Sequence, residues 1–227
     1  MTLPAAVTLP TAVILLTLAM LIAGYLLGSI PSGYLAGRWL AGLDIRLEGS
    51  GSTGATNVLR VVGKGPALAV FLVDVLKGAA AVLLAKALLQ PPGAPLLGTG
   101  TSVTDTGVVA AGLAALAGHI WPIWLNWKGG KAVATGLGVL LGLVPAVGMA
   151  CFGIFLTVLS STRLVSLASV VAAISLPLLM VGAHGMRLAY LALAVLTTLV
   201  VVLRHRSNIQ RLRAGTEPRL GHAKPES

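Results

Sequence analysis

Charge is scarce in this sequence. Only 10% of its 227 residues are Asp, Glu, Lys or Arg, and only 6 are acidic, where a soluble domain carries about 25% charged residues. A chain with so little polar surface cannot cover a water-facing core, so the bilayer is its expected solvent. Aromatic residues are also few, at 4%, and the basic residues are scattered. That excludes a nucleic-acid platform, which needs clustered Lys and Arg beside stacking rings. There is 1 cysteine, Cys151, inside an apolar run. It can form no internal disulfide and has no partner for a metal site, so it reads as a buried, inert thiol. H-E-x-x-H, a Cys/His metal cluster and a nucleophile elbow are all absent. No Walker A string occurs either, since the nearest candidate, Gly63-Lys64, is followed by Gly65.

What the chain does have is apolar length, with 56% hydrophobic residues and 28 glycines that allow membrane helices to approach closely. Seven apolar segments are expected to span, near 12–32, 66–89, 106–126, 132–145, 146–161, 165–183 and 187–204. The run from Ala12 to Ile30 lacks a basic flank and suits a spanning helix better than a signal peptide. The fourth segment is short enough to be thinned or partly re-entrant, and Pro145 marks its break from the fifth. The formal charge is +10. Placing the N-terminus outside and the C-terminus in the cytoplasm gathers the basic residues on one side, leaving only Lys77, Lys86 and Arg187 elsewhere, as the positive-inside rule requires. The expectation is one all-α integral membrane domain over residues 1–221, with about seven transmembrane helices and a disordered tail at 222–227.

With that topology three polar segments are expected at one membrane face. In "EGSGSTGATNVLR", residues 48–60, Gly49, Gly51 and Gly54 alternate with Ser50, Ser52, Thr56 and Asn57 and lead to Arg60. It is either a Ser/Gly linker or a cradle. Its length, in a connection running from about 33 to 65, favours the cradle, and "GYLAGRWLAGL" before it fits an interfacial helix. In "GHIWPIWLNWKGGKAVATGLG", residues 118–138, Lys128, Gly129, Gly130 and Lys131 precede Thr135. Paired glycines with two lysines before a helix suit phosphate, although a glycine turn with topology-setting lysines would look the same. His119 precedes an interfacial cluster of Trp121, Trp124 and Trp127; it could serve a site or a structural hydrogen bond. In "RHRSNIQRLRAGTEPRLG", residues 204–221, His205, Asn208 and Arg211 recur at spacing three and would share a helix face. The alternative is a basic cluster meeting lipid headgroups. Asp74 and Lys77 lie inside the second span at i,i+3, either paired with each other or ordering a site. Asp44 and Glu48 read as loop charges, and His184 and His222 as incidental.

Together these three segments resemble the signature motifs of the PlsY family, bacterial acyl-phosphate:glycerol-3-phosphate acyltransferases. "SIPSGYLAGR" and "VDVLKG" are similar to the family as well, so the resemblance covers about residues 20 to 221. It implies an inner-membrane enzyme, with its site facing the cytoplasm, that moves an acyl group from acyl phosphate to the 1-hydroxyl of sn-glycerol 3-phosphate. The implied products are lysophosphatidic acid and inorganic phosphate. No cofactor and no metal is implied, and the partners are the two substrates and membrane lipid, not nucleic acid. Residue by residue, the resemblance makes Ser50, Arg60, Lys131, His205 and Asn208 the catalytic candidates. Gly49, Gly51, Ser52, Gly54, Thr56, Asn57, Lys128, Gly129, Gly130, Thr135 and Arg211 are candidates for substrate binding, with Asp74, Lys77 and His119 in support. Two positions depart from the family pattern: Ser52 stands where Asn is commonest, and Ala132 where Gly is common. The H-x-x-x-x-D arrangement of many other glycerolipid acyltransferases is absent. The rival expectation is a transporter or channel for a phosphate-bearing solute, which would show an internal repeat and mid-membrane polar groups. No repeat is found.

Overall fold

The computed structural model describes residues 5–90 and 101–221. The expected tail, with His222, lies outside the described residues. Among the described residues all regular structure is helical: α1 (Ala5–Gly28), α2 (Ser32–Ala41), α3 (Ala55–Val61), α4 (Lys64–Leu89), α5 (Thr101–Ile120), a 3-10 turn (Ile123–Leu125), α6 (Val133–Leu143), α7 (Pro145–Thr162), α8 (Val165–His184), α9 (Leu188–Arg204) and α10 (Arg206–Arg213). All seven expected apolar segments form helices. By length and composition five stretches can cross a bilayer: Val13–Ala41, Lys64–Leu89, Thr104–Leu125, Pro145–Thr162 and Val165–His184. The α9–α10 pair, bent by 61°, is a sixth candidate. The 11 residues of α6 reach about 16 Å, short of the ~30 Å hydrocarbon layer. The chain forms two compact units, Met1–Val144 and Pro145–Ser227.

The first unit is built on glycine. In lipid there is no hydrophobic drive between helices, so close backbone packing must hold them. A Cβ on Gly24, Gly28 or Gly118 would meet the carbonyl oxygens of Ala111, Ala115 and Tyr25. The G-Y-L-L-G string of α1 thus lies directly on the backbone of α5, and the matching register makes the two helices parallel. Gly78 of α4 lies on the Thr135 carbonyl, and Gly138 of α6 on that of Val75. The pairs Gly107–Leu89 and Gly112–Val82 run in opposite senses along α5 and α4, so these two helices are antiparallel. The register also explains the shortness of α6. It starts level with the middle of α4, near Asp74, and ends at the last turn of α4. There Lys86 Nζ donates to the carbonyls of Gly142 at 2.8 Å and Leu143 at 2.9 Å. These are carbonyls that the end of α6 leaves without helical partners. A lysine that sits on the wrong side for topology is therefore a helix cap.

The long connection before α4 is also structured. A helix is present over the expected stretch, as α2, and α3 packs on the first turns of α4 around Ile45, Val58, Ala67 and Val70. Pro122 follows the end of α5 and caps the 3-10 turn.

In the second unit α7 packs on α8, α8 on α9, and α10 on both α8 and α9. Pro145 opens α7 at its first position, where a missing N–H costs nothing. Cys151 is buried, as expected.

Gly28→Val forces a branched side chain onto the Ala115 carbonyl. We expect it to lower the thermal midpoint in detergent, at a cost of about 1–3 kcal/mol. Gly182→Ala, where an added Cβ meets nothing within 4 Å, should change stability by less than about 1 kcal/mol.

Candidate active site

The 43–60 loop is organised from inside by Asn57, which is 1% exposed. Its amide nitrogen donates to the carbonyls of Ile45, Glu48 and Ser52, each at 3.0 Å. Its Oδ1 accepts from the Ser50 N–H at 2.8 Å. An amide has two N–H donors, and three carbonyls already share them. The expectation that Asn57 binds substrate therefore gives way: it shapes the loop. Gly49 (φ 57°) and Gly51 (φ 68°) turn the backbone through the left-handed region, and a Cβ on Gly49 would meet Asn57 Oδ1. Ser52 Oγ accepts from the Gly54 N–H at 3.4 Å, a local turn just before α3. Ser50 and Arg60 are exposed, and Thr56 is half-buried. Arg46 fastens the loop. It grips Asp44 at 2.6 Å, lies 5.0 Å from the centre of the Tyr34 ring, and donates to the Leu125 carbonyl at 3.2 Å. The hydrogen bond from Arg46 holds the Asp44 carboxyl below its ordinary range.

That last bond joins the first polar segment to the second. Behind the junction lies a buried polar centre. Asp74 Oδ1 accepts from Ser32 Oγ at 2.7 Å and pairs with Lys77 Nζ at 2.8 Å. His119 Nδ1 stands 3.6 Å from the same oxygen. Lys77 also donates to the Ile30 carbonyl at 2.9 Å. Ser29, Ser32, Thr53, Lys77, His119 and Leu125 help line a small cleft. The Ser29 hydroxyl is fully buried there and has no hydrogen-bond partner among the described residues. Of the two things the sequence left open, the pairing of Asp74 with Lys77 is present, and Lys77 lies on the cleft wall.

The KGGK turn is tied to the end of α5. The Gly129 N–H donates to the Ile120 carbonyl and the Gly130 N–H to that of His119, both at 3.1 Å. These N–H groups close the helix C-terminus. A Cβ on Gly129 would meet the His119 carbonyl, and one on Gly130 the His119 ring. Glycine is required here for packing on His119, a reason that the spacing alone does not reveal. Asn126 (φ 51°), Trp127 (φ 63°) and Ala132 (φ 59°) all take left-handed backbone. For non-glycine residues this conformation costs about 1–2 kcal/mol each, and such strain concentrates at functional sites. It also explains why glycine would suit position 132. Lys128 is exposed, Lys131 is half-buried, and Thr135 is buried against α4. Trp121, Trp124 and Trp127 are exposed, as an interfacial cluster would be.

In the second unit the helix does not continue straight past Arg204. The chain bends by 61° between α9 and α10, and His205 stands at the bend as the N-cap of α10, its carbonyl accepting from the Ile209 N–H at 2.8 Å. His205 is buried at the bend, and its Nδ1 contacts the Val201 carbonyl at 2.7 Å. Asn208 Nδ2 and Arg211 Nε instead converge on Glu217, each at 2.7 Å. Burial raises the Glu217 pKa, but the Asn208 amide, the Ser166 hydroxyl and the Arg211 guanidinium together outweigh it, and the net shift is downward. His184 stacks on Tyr190, with ring centres 5.0 Å apart.

Sequence reasoning missed Ser29, Ser32, Arg46 and Glu217. Glu217 carried a usable signal, being one of only 6 acidic residues in the chain. The other three became visible only when distant segments met.

The glycerol-3-phosphate acyltransferase family model matches residues 18–215. The glycerol-3-phosphate acyltransferase of Parasynechococcus marenigrum (strain WH8102) is 62% identical over 218 residues, covering 96% of this chain and 95% of that protein. Among solved structures the chain resembles PlsY, an integral membrane glycerol 3-phosphate acyltransferase. The TM-score is 0.79 for its glycerol 3-phosphate form, with 36% identity, covering 90% of this chain and 96% of PlsY. For its lysophosphatidic acid form the TM-score is 0.76, again at 36% identity, covering 90% and 95%.

A carboxyl whose pKa is lowered by folding stabilises the protein above its unfolded pKa, and that contribution is lost as pH falls through the folded value. Glu217→Gln should therefore lower the thermal midpoint near pH 7. The gap to the wild type should shrink as pH drops below 4.5, the ordinary value of the group.

Proposed function

The chain belongs to the glycerol-3-phosphate acyltransferase family and is an integral membrane acyltransferase of the PlsY type. From that premise we propose that its donor is acyl phosphate and that its products are lysophosphatidic acid and inorganic phosphate, the first acylation step of phospholipid synthesis. The 1-hydroxyl oxygen of sn-glycerol 3-phosphate attacks the acyl carbonyl carbon. The bond from that carbon to the phosphate oxygen breaks, and phosphate leaves with the electron pair. The hydroxyl proton passes to a base, for which His205 and a substrate phosphate oxygen are the two candidates. Acyl phosphate is an activated mixed anhydride, so cationic stabilisation of the departing phosphate supplies most of what catalysis needs.

The observation that carries this reading is the meeting of two motif segments in the first unit. Arg46 joins the 43–60 loop to Leu125, and the KGGK turn folds onto His119 beside Asp74. In this reading Arg60 and Lys131 hold the two phosphate groups, with Lys131 on glycerol 3-phosphate, and the acyl group and hydroxyl are held together for direct transfer. Ser50, on the same loop, binds substrate and forms no acyl-enzyme. His205 and Asn208 of the second unit serve the same reaction. The 2.7 Å contact of His205 Nδ1 with the Val201 carbonyl selects the Nδ1–H tautomer and makes Nε2 the basic nitrogen. Residues 1–221 are read as one acyltransferase domain, which is supported by a family match that runs through both units. The excess of basic residues in the connections expected inside supports an inner-membrane enzyme with its site facing the cytoplasm.

Purified protein in lipid should release inorganic phosphate from acyl phosphate only when glycerol 3-phosphate is present, and lysophosphatidic acid should accumulate in step. Transfer from acyl-CoA or acyl carrier protein, with acyl phosphate inert, would overturn the donor. Lys131→Ala and Arg60→Ala should each remove about 2–4 kcal/mol of transition-state stabilisation, read as kcat/KM. A trapped acyl-Ser50 species would sink direct transfer.

A further inference from the structure

Asp74 is a buried carboxylate on which groups from three elements converge. Ser32 reaches it from the first turn of α2, Lys77 from its own helix α4, and His119 from the last turn of α5. It is 1% exposed, Lys77 is 4% and His119 is 6%, so the arrangement is closed to solvent. The buried carboxylate and ammonium neutralise each other, and removing either charge would leave the other uncompensated. His119 passes the constraint on. Its Nδ1 side faces the Asp74 carboxylate and its Nε2 side faces Gly130, where even a methyl group would meet the ring. The His119 carbonyl also receives the Gly130 N–H at 3.1 Å. One ring therefore stands between a fixed carboxylate and the backbone of the KGGK turn.

We propose that Asp74 is a positioning residue that acts through His119: held by Ser32 and Lys77, it sets the imidazole against Gly130 and thereby fixes where Lys131 presents its ammonium to substrate. The inference rests on the reading above in one respect, that the KGGK turn serves the phosphate of glycerol 3-phosphate. Neither Asp74 nor His119 touches substrate in this account. Their influence is geometric, and a small displacement of a binding group is enough to cost a large factor in rate or affinity. The strained backbone on both sides of the turn, at Trp127 and Ala132, leaves the segment dependent on such external support. A merely structural Asp74 would hold α2, α4 and α5 together, and its loss would lower stability without a selective effect on one substrate.

The test is a double-mutant cycle on His119 and Gly130, with Asp74→Asn alongside, reading kcat and KM for glycerol 3-phosphate on protein that is monodisperse and melts cooperatively. The cycle uses whichever acyl donor the wild type accepts, so a wrong donor assignment falls without disturbing this measurement. His119→Ala and Asp74→Asn should each raise KM for glycerol 3-phosphate by about tenfold, with a smaller change in kcat. Gly130→Ala should be severe in the wild type but change KM by less than about twofold in the His119→Ala background, because the clash has been removed. If Asp74→Asn does not fold, Asp74→Asn/Lys77→Met removes both charges together and should fold with the same raised KM. Additive losses at His119 and Gly130, an unchanged KM in folded His119→Ala, or a wild-type KM in the neutral double variant would each overturn the proposal.

Discussion

Everything in the first unit depends on helices that touch backbone to backbone. Lipid offers apolar surfaces no reason to leave it, so adhesion must come from close fit. Gly28 against Ala115, Gly118 against Tyr25, and Gly78 and Gly138 across the α4–α6 seam supply that fit. The same contacts set register. They bring the end of α5 and the start of α6 level with Asp74, halfway along α4. If Gly78 moved along Thr135 by one turn, His119 and Asp74 would no longer face each other. Packing and polar geometry here follow from a single constraint.

Much of this was legible in the sequence. Scarce charge and long apolar runs gave an all-helical membrane protein, and the helix positions followed the apolar segments closely. The short fourth segment stood out because about 14 residues reach only about 21 Å, yet the reason for its length was hidden. Only the structure places Lys86 on the carbonyls of Gly142 and Leu143. These partners are separated by 56 and 57 positions, and nothing in either string announces the other. Local patterns show periodicity and motif. They do not show which distant backbone group a lysine will meet.

The candidate site was legible by residue type more than by role. Asn57 looked like a ligand contact because loops rich in Asn, Ser and Gly often bind anions. It is instead the strut of its own loop, and an inward amide cannot be told from an outward one by sequence. Gly129 and Gly130 looked like a surface for phosphate approach, and the structure adds a second reason for glycine there: His119 lies against them. His205, Asn208 and Arg211 recur at spacing three, and a straight helix would align them. The helix breaks at His205, which caps α10, and Asn208 and Arg211 both bond Glu217. In each case the residue type was informative, and the partner was a tertiary fact.

The pairing of Asp74 with Lys77 has an electrical consequence. A living membrane carries a voltage, and an isolated charge at this depth would feel it, at about 2.3 kcal/mol per elementary charge for each 100 mV crossed in full. A carboxylate and an ammonium 2.8 Å apart form a dipole with no net charge, so the field does almost no work in translating them. The polar centre beneath the KGGK turn can therefore keep its shape while the membrane potential rises and falls.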